Sequence, residues 1–222
     1  MARQQDLVEA VAQVAGATAV LDSNKEYSRA IMLLRMQPEA RIIHLHRSPV
    51  TTLGSRHHRV KEAGTGFRFL KRTYYYRVDK KFDTPASSVE RKYAPEWSYP
   101  LVLMLTASAW SVGMVLGLLI KARYPRRVLS VRYENLMADP LSELARIGSF
   151  LQIDIDGVQA MVTAREPFPI GHILGGNNQL RRNTTVAFDP SVRNRRKMPN
   201  QASRLALPFA APGNLLRGMF AR

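Results

Sequence analysis

The sequence predicts an α/β fold, a parallel sheet flanked by helices, and three observations carry that reading. Short β-rich apolar runs alternate with stretches of helical apolar spacing, joined by connections of a few residues. Each run ends in a polar or charged cluster, where open parallel sheets bind ligands beyond the carboxyl ends of their strands. The 222 residues are 45% hydrophobic and 23% charged, which suits a single globular domain over 1–222 and excludes wholesale disorder.

Over residues 5–15, Leu7, Val8, Val11, Val14 and Ala15 recur at helical spacing, and Gly16 supplies a stop. Thr18, Ala19, Val20 and Leu21 make a first apolar run, read as a strand ending at Asp22. A second helix over 26–37 is closed by Pro38. Arg41-Ile42-Ile43-His44-Leu45-His46 is the next β-rich run, with His44 and His46 at alternate positions as packed rather than catalytic side chains. Ser48-Pro49 then starts a helix, a hydroxyl at the N-cap and a proline where the missing N–H does no harm. Val128-Leu129-Ser130-Val131 adds a third buried strand. Asp139-Pro140 starts a further helix with Leu141, Leu144, Gly148 and Leu151 on one face. Residues 60–100 are polar, aromatic and irregular, a long excursion of the kind that shapes binding sites. Residues 165–222, with Pro167, Pro169, Gly171, Gly175 and Gly176 among many arginines, read as a basic C-terminal loop region wrapping back over the domain.

Charge narrows the function. The formal net charge is +16, and residues 41–81 and 181–222 together hold all of the excess. Such clustering points to an anionic ligand or surface rather than general solubility. The absence of cysteine excludes disulfides, thiolate metal sites and a Cys nucleophile. With no signal-like N-terminus, the expected location is cytoplasmic. Residues 101–120 are free of charge and are followed by Lys121, Arg123, Arg126 and Arg127, a pattern shared by transmembrane spans and long core helices. The core helix is the favoured reading.

Three clusters follow the runs: Asp22-Ser23-Asn24-Lys25, Arg47-Ser48-Pro49 and Arg132-Tyr133-Glu134-Asn135. Arg47 leaves its strand just before a helix N-terminus, where free N–H groups and the helix dipole favour an anion. Ser48, Thr51, Thr52, Ser55 and Arg59 recur at spacings of three and four, a hydroxyl and guanidinium stripe. The alternative is a solvated polar face. Guanidinium and hydroxyl groups so placed suit a phosphate. The histidines show no metal-ligand spacing.

Four blocks resemble sulfotransferases that use 3′-phosphoadenosine 5′-phosphosulfate (PAPS), a P-loop NTPase-like fold. Val20-Leu21-Asp22-Ser23-Asn24-Lys25 is similar to a strand ending in D-S-S-K. Ile43-His44-Leu45-His46-Arg47-Ser48-Pro49 with Ser55 resembles the 3′-phosphate element. Val131-Arg132-Tyr133-Glu134-Asn135-Leu136 with Asp139-Pro140 resembles R-Y-E-D-L…D-P. His172, Gly176-Asn177 and Arg181 or Arg182, followed by Asp189, resemble a late H…G-N…R loop. The resemblance implies that Arg47 and Ser55 bind the 3′-phosphate and that Lys25 is catalytic, beside the transferred sulfuryl group. It implies that Asn177 and Arg181 or Arg182 close over the nucleotide, while Tyr133 and Glu134 support the fold beside it. PAPS would be the sulfuryl donor, with no metal. Cations suit the reaction because a loose transition state spreads negative charge over equatorial oxygens. Residues 60–100 would then lie on the acceptor side, their charge favouring a carbohydrate or other anionic acceptor that offers a hydroxyl or amine.

The sequence also departs from that pattern. In such enzymes a strand and a Gly-rich phosphosulfate loop precede the D-S-S-K block, whereas here 21 residues precede Asp22 and read as one helix. Gly64-Thr65-Gly66 and Gly175-Gly176 lack the strand–loop–helix context of a phosphate loop. The expectation is an N-terminally truncated sulfotransferase-like domain, with turnover by this chain in question. The competing readings are a non-catalytic membrane-associated relative, using 101–120 and the basic tail, and a basic nucleic-acid-binding protein stacking bases on Tyr74, Tyr75 and Tyr76. A nucleotide donor and an acceptor are the expected partners; nucleic acid is not.

Overall fold

A computed structural model describes residues 10–14, 16–17, 19–23, 26–55, 98–170, 184–188 and 200–219. Its centre is a pair of parallel strands, β1 (Ile42–His46) and β2 (Val128–Arg132), in register from Ile42 opposite Val128 to His46 opposite Arg132. Helix α1 (Tyr27–Met36) precedes β1, and a helix runs over residues 49–55 after it. The long α2 (Ser98–Arg123) leads into β2, and α3 (Tyr133–Ala138), α4 (Pro140–Leu151) and α5 (Asp156–Ala164) follow. A two-residue ladder pairs β3 (Phe168–Pro169) with β4 (Thr185–Val186) antiparallel, and α6 (Asn200–Met219) ends the described chain.

The local signals work as the sequence suggests. Pro49 opens its helix, and the Thr51 N–H donates to Ser48 Oγ at 3.2 Å. Asp139 caps α4 by accepting from the Ser142 N–H at 3.2 Å, with Pro140 in the first turn. Two arginines hold helix ends together. Arg127 donates to the carbonyls of Leu34, Gln37 and Ala40, at and just beyond the end of α1. Arg41 donates to the Phe150 carbonyl and the Gln152 side chain at the end of α4. Orphan helix carbonyls favour such cations, so Arg41, one of the basic residues of 41–81, serves the fold, as does Arg127 outside the two basic segments.

Two expectations are corrected. Residues 19–23 are not a strand: Val20 is half-exposed and Leu21 is 87% exposed, and the segment joins no ladder among the described residues. An apolar run becomes a strand only where a neighbour satisfies its backbone N–H and C=O groups. The C-terminal region, expected as loop, contains the 20-residue α6. It does fold back over the domain, burying Ala206 and Ala210 against Leu53, Leu103 and Ala107. Pro208 and Pro212 lie inside it, positions that normally break a helix. Ser111 of α2 bridges the step next to Pro212: its Oγ donates to the Phe209 carbonyl at 2.8 Å and accepts from the Gly213 N–H at 3.4 Å. A side chain thus stands inside one i→i−4 step.

Helix α2 is the one described helix long and apolar enough to cross a membrane, and 44% of that stretch is buried inside the protein. Leu103, Ala107, Ser111, Met114, Leu118 and Ile120 face inward, whereas Leu101, Leu105, Val112, Leu116 and Leu119 are exposed. Gly117 faces His44 so closely that a Cβ there would stand 2.1 Å from the ring, so only glycine fits. Its inner face therefore packs into the core.

Candidate functional site

The site forms where the two strands end. His46 and Arg132 are the last register pair, so the next residues, Arg47 and Tyr133, leave the sheet side by side. The Arg47 guanidinium lies 3.8 Å from the centre of the Tyr133 ring, a cation–π contact that holds it flat. Trp110 of α2 donates its indole N–H to the Arg47 carbonyl at 3.2 Å, fixing the backbone beneath. Among the described residues no carboxylate pairs with Arg47.

Beside it begins the helix over 49–55. Ser48 Oγ and Thr51 Oγ1 are 2.8 Å apart, and Ser55 lies on the same face about 10 Å further along at 1.5 Å per residue. Glu134 turns toward this helix start: one carboxylate oxygen accepts the Ser48 N–H at 2.7 Å, and the other pairs with Arg217 from the last turn of α6. Burial pushes the Glu134 carboxyl up, but the Ser48 N–H and the Arg217 guanidinium outweigh it and hold the pKa below the usual carboxylate range.

Behind the carboxylate, the Arg217 Nε–H donates to His46 Nδ1 at 3.2 Å, and His46 Nε2 stands 2.9 Å from Ser130 Oγ. A ring that accepts at Nδ1 carries its proton on Nε2 and donates it to Ser130. Burial, then His44 and the charges of Arg217 and Arg132 beside it, push His46 down to about 4, so the ring is neutral at neutral pH. Its neighbour His44 is lowered by burial and by Lys121, and contacts Tyr27 edge-on. Both histidines are packed and fixed by neighbours, as their strand positions suggest. Arg132 donates to the Arg217 carbonyl at 2.9 Å, while its Nε is buried without a partner among the described residues.

Of the residues singled out by sequence, the structure brings together Arg47, Ser48, Tyr133 and Glu134 and sets Ser55 on the same helix face. Lys25, Asn177, Arg181 and Arg182 lie outside the described residues, as do Arg59 and most of the 60–100 excursion. Asp22, next to Lys25 in its block, pairs on the surface with Arg29 at 2.5 Å. Sequence reasoning missed Arg217, which reaches the site only because α6 folds back. The apolar pattern of Leu205, Ala206, Phe209 and Ala210 was the available signal, and Pro208 and Pro212 obscured it. Among the described residues no group of three His, Asp or Glu side chains converges as a metal site.

A parallel α/β strand pair whose ends gather an arginine and hydroxyl groups defines the class of protein. The chain belongs to the sulfotransferase family, whose model matches residues 2–157. In structure it is similar to mouse sulfotransferase SULT7A1 complexed with PAP, at 17% sequence identity and a TM-score of 0.43. That similarity covers 85% of this chain and 65% of the mouse chain, so the protein spans under two thirds of the mouse enzyme's length. No curated protein matches the sequence.

Proposed function

We propose that this chain binds PAPS through its 3′-phosphate and serves transfer of the sulfuryl group to a hydroxyl or amine acceptor, a carbohydrate being favoured by the basic charge. The observation that carries this reading is Arg47, held flat on Tyr133 at a strand end with its donors unclaimed by any described carboxylate, beside a helix start lined by Ser48 and Thr51. A phosphate suits that set: a guanidinium binds it through two parallel N–H bonds, and hydroxyls complete the shell. Ser55, on the same face, is the second phosphate ligand in this reading. Bound PAPS would bring the activated sulfuryl group, and the protein's part is to hold the nucleotide and place cations near the developing charge. Lys25 and Arg181 or Arg182 are the proposed cations at that end, with Asn177 beside the nucleotide.

The test is calorimetric binding of adenosine 3′,5′-bisphosphate and adenosine 5′-phosphate to the wild type and to Arg47→Ala. The wild type should prefer the bisphosphate by tenfold or more, about the worth of a charged hydrogen-bond pair, and Arg47→Ala should lose most of that preference. Equal affinity of the wild type for both nucleotides, or an unchanged preference in the variant, would overturn the assignment. A sequence-independent nucleic-acid role would instead show as affinity that falls steeply with salt and ignores the 3′-phosphate.

A further inference from the structure

We propose that Arg217 is a positioning residue of the strand-end anion site: by pairing with Glu134 it neutralises the carboxylate at the helix start, so that a phosphate can approach Arg47. The proposal rests on the nucleotide-binding reading above and adds a residue that lies outside the family-matched segment, which ends at residue 157.

The helix over 49–55 has a feature that conflicts with anion binding. Its first N–H groups and dipole attract negative charge, yet the Glu134 carboxylate already accepts from Ser48 N–H at 2.7 Å. Glu134 directly follows Tyr133, on which the Arg47 guanidinium lies. Left unbalanced, Glu134 would repel a phosphate at Arg47. Arg217 removes that obstacle, because its guanidinium pairs with the carboxylate oxygen that Ser48 does not use.

The arginine is held for this purpose at three points. Arg132 binds its carbonyl at 2.9 Å, neutral His46 accepts from its Nε at 3.2 Å, and Glu134 takes its terminal nitrogen. Its placement depends on the packing of α6 along α2, where Ala206 and Ala210 are buried and the Gly213 N–H meets Ser111. A Cβ on Gly213 would come within 2.7 Å of the Ser111 Cα, so glycine there is what allows the last turn to reach the sheet. The charges at the strand ends are then Arg47, Arg132 and Arg217 against Glu134, a cationic excess that the docking of α6 raises by one charge.

The experiment measures binding of adenosine 3′,5′-bisphosphate and adenosine 5′-phosphate to the full chain as wild type, Arg217→Gln, Glu134→Gln and the double variant, with thermal unfolding of each. Arg217→Gln should weaken the bisphosphate about tenfold more than the monophosphate, as expected for one uncompensated charge nearby. Adding Glu134→Gln should restore affinity to within about threefold of the wild type, because the amide still accepts the Ser48 N–H without the charge. A residue that merely anchors α6 would lower stability and weaken both nucleotides alike, and the double variant would be no better than the single; that result overturns the proposal. If Arg217→Gln does not fold, Glu134→Gln alone decides: bisphosphate affinity should rise several-fold, and an unchanged or lower affinity counts against the proposal. Failure of the wild type to distinguish the two nucleotides overturns the functional reading and this inference together. Discrimination by the wild type that Arg217→Gln leaves intact overturns this inference alone.

Discussion

Two polar clusters of this protein, one at Asp22 and one at Glu134, have opposite fates. Asp22 sits in an exposed coil, with Leu21 beside it 87% exposed, and its carboxylate pairs with Arg29 at the surface. Glu134 sits where β2 passes into α3 and is bound by a backbone N–H from the neighbouring strand's continuation and by a guanidinium from α6. Both carboxylates have an arginine, but only one has a rigid frame. The register of β1 on β2 fixes the two strand ends from which Ser48 and Glu134 leave, whereas residues 19–23 join no ladder among the described residues. A polar cluster becomes a site when the sheet positions more than one of its members.

The contrast can be broken by removing each carboxylate in turn, and the larger loss belongs to Glu134. Glu134→Ala strands the Ser48 N–H and the Arg217 guanidinium in a half-buried setting, which should cost about 2 kcal/mol in chemical denaturation. A loss no greater than that of an exposed residue would show that the framed cluster is not framed at all. Acid sharpens the same comparison. His46 is held down to about 4, chiefly by burial, against an unfolded value near 6.5, so the unfolded chain takes up its proton first as pH falls. Its contribution is therefore complete above pH 6.5 and is lost between there and pH 4, about 1 kcal/mol by pH 5 after allowance for solvent screening. Glu134, also depressed, adds its own loss only below the ordinary carboxylate range. Denaturation midpoints at pH 7 and pH 5 should differ accordingly, and His46→Gln should narrow the difference. The smallest effect is expected at the other cluster. Asp22→Ala removes an exposed ion pair, with side chains about one third exposed, and should change stability by no more than about 0.5 kcal/mol. A substantially larger change would mean that the Asp22 segment is anchored more firmly than its exposure suggests.

The α2 helix shows a second contrast, between its two faces. The inner face packs against α6 and the helix over 49–55 through Leu103 and Ala107, while the outer face shows Leu105, Val112, Leu116 and Leu119. Its uncharged length alone could not separate a core helix from a span, because hydropathy does not encode which neighbours arrive. The cations after it gave a similar ambiguity. Arg127 looked like the flank of a membrane span and in fact closes the end of α1, through carbonyls about ninety positions away.

What the sequence determined by itself is local. The periods of Tyr27–Met36 and Pro140–Leu151, the β-branched runs at 42–46 and 128–132, and the caps at Ser48 and Asp139 all follow from near neighbours, and the structure contains each. The pairing of Arg47 with Tyr133 was legible only as two separate motif blocks whose order resembled a family. Tertiary structure alone decided the rest: that residues 19–23 stay coil, that Ser111 bridges the Phe209–Gly213 step of α6, and that Arg217 reaches Glu134 from 83 positions away and His46 from 171. The reason is physical. A turn of helix or a cap is stabilised by groups within four residues, but a strand, a helix step bridged by another helix's side chain and a neutralised carboxylate each need a partner that only packing can deliver.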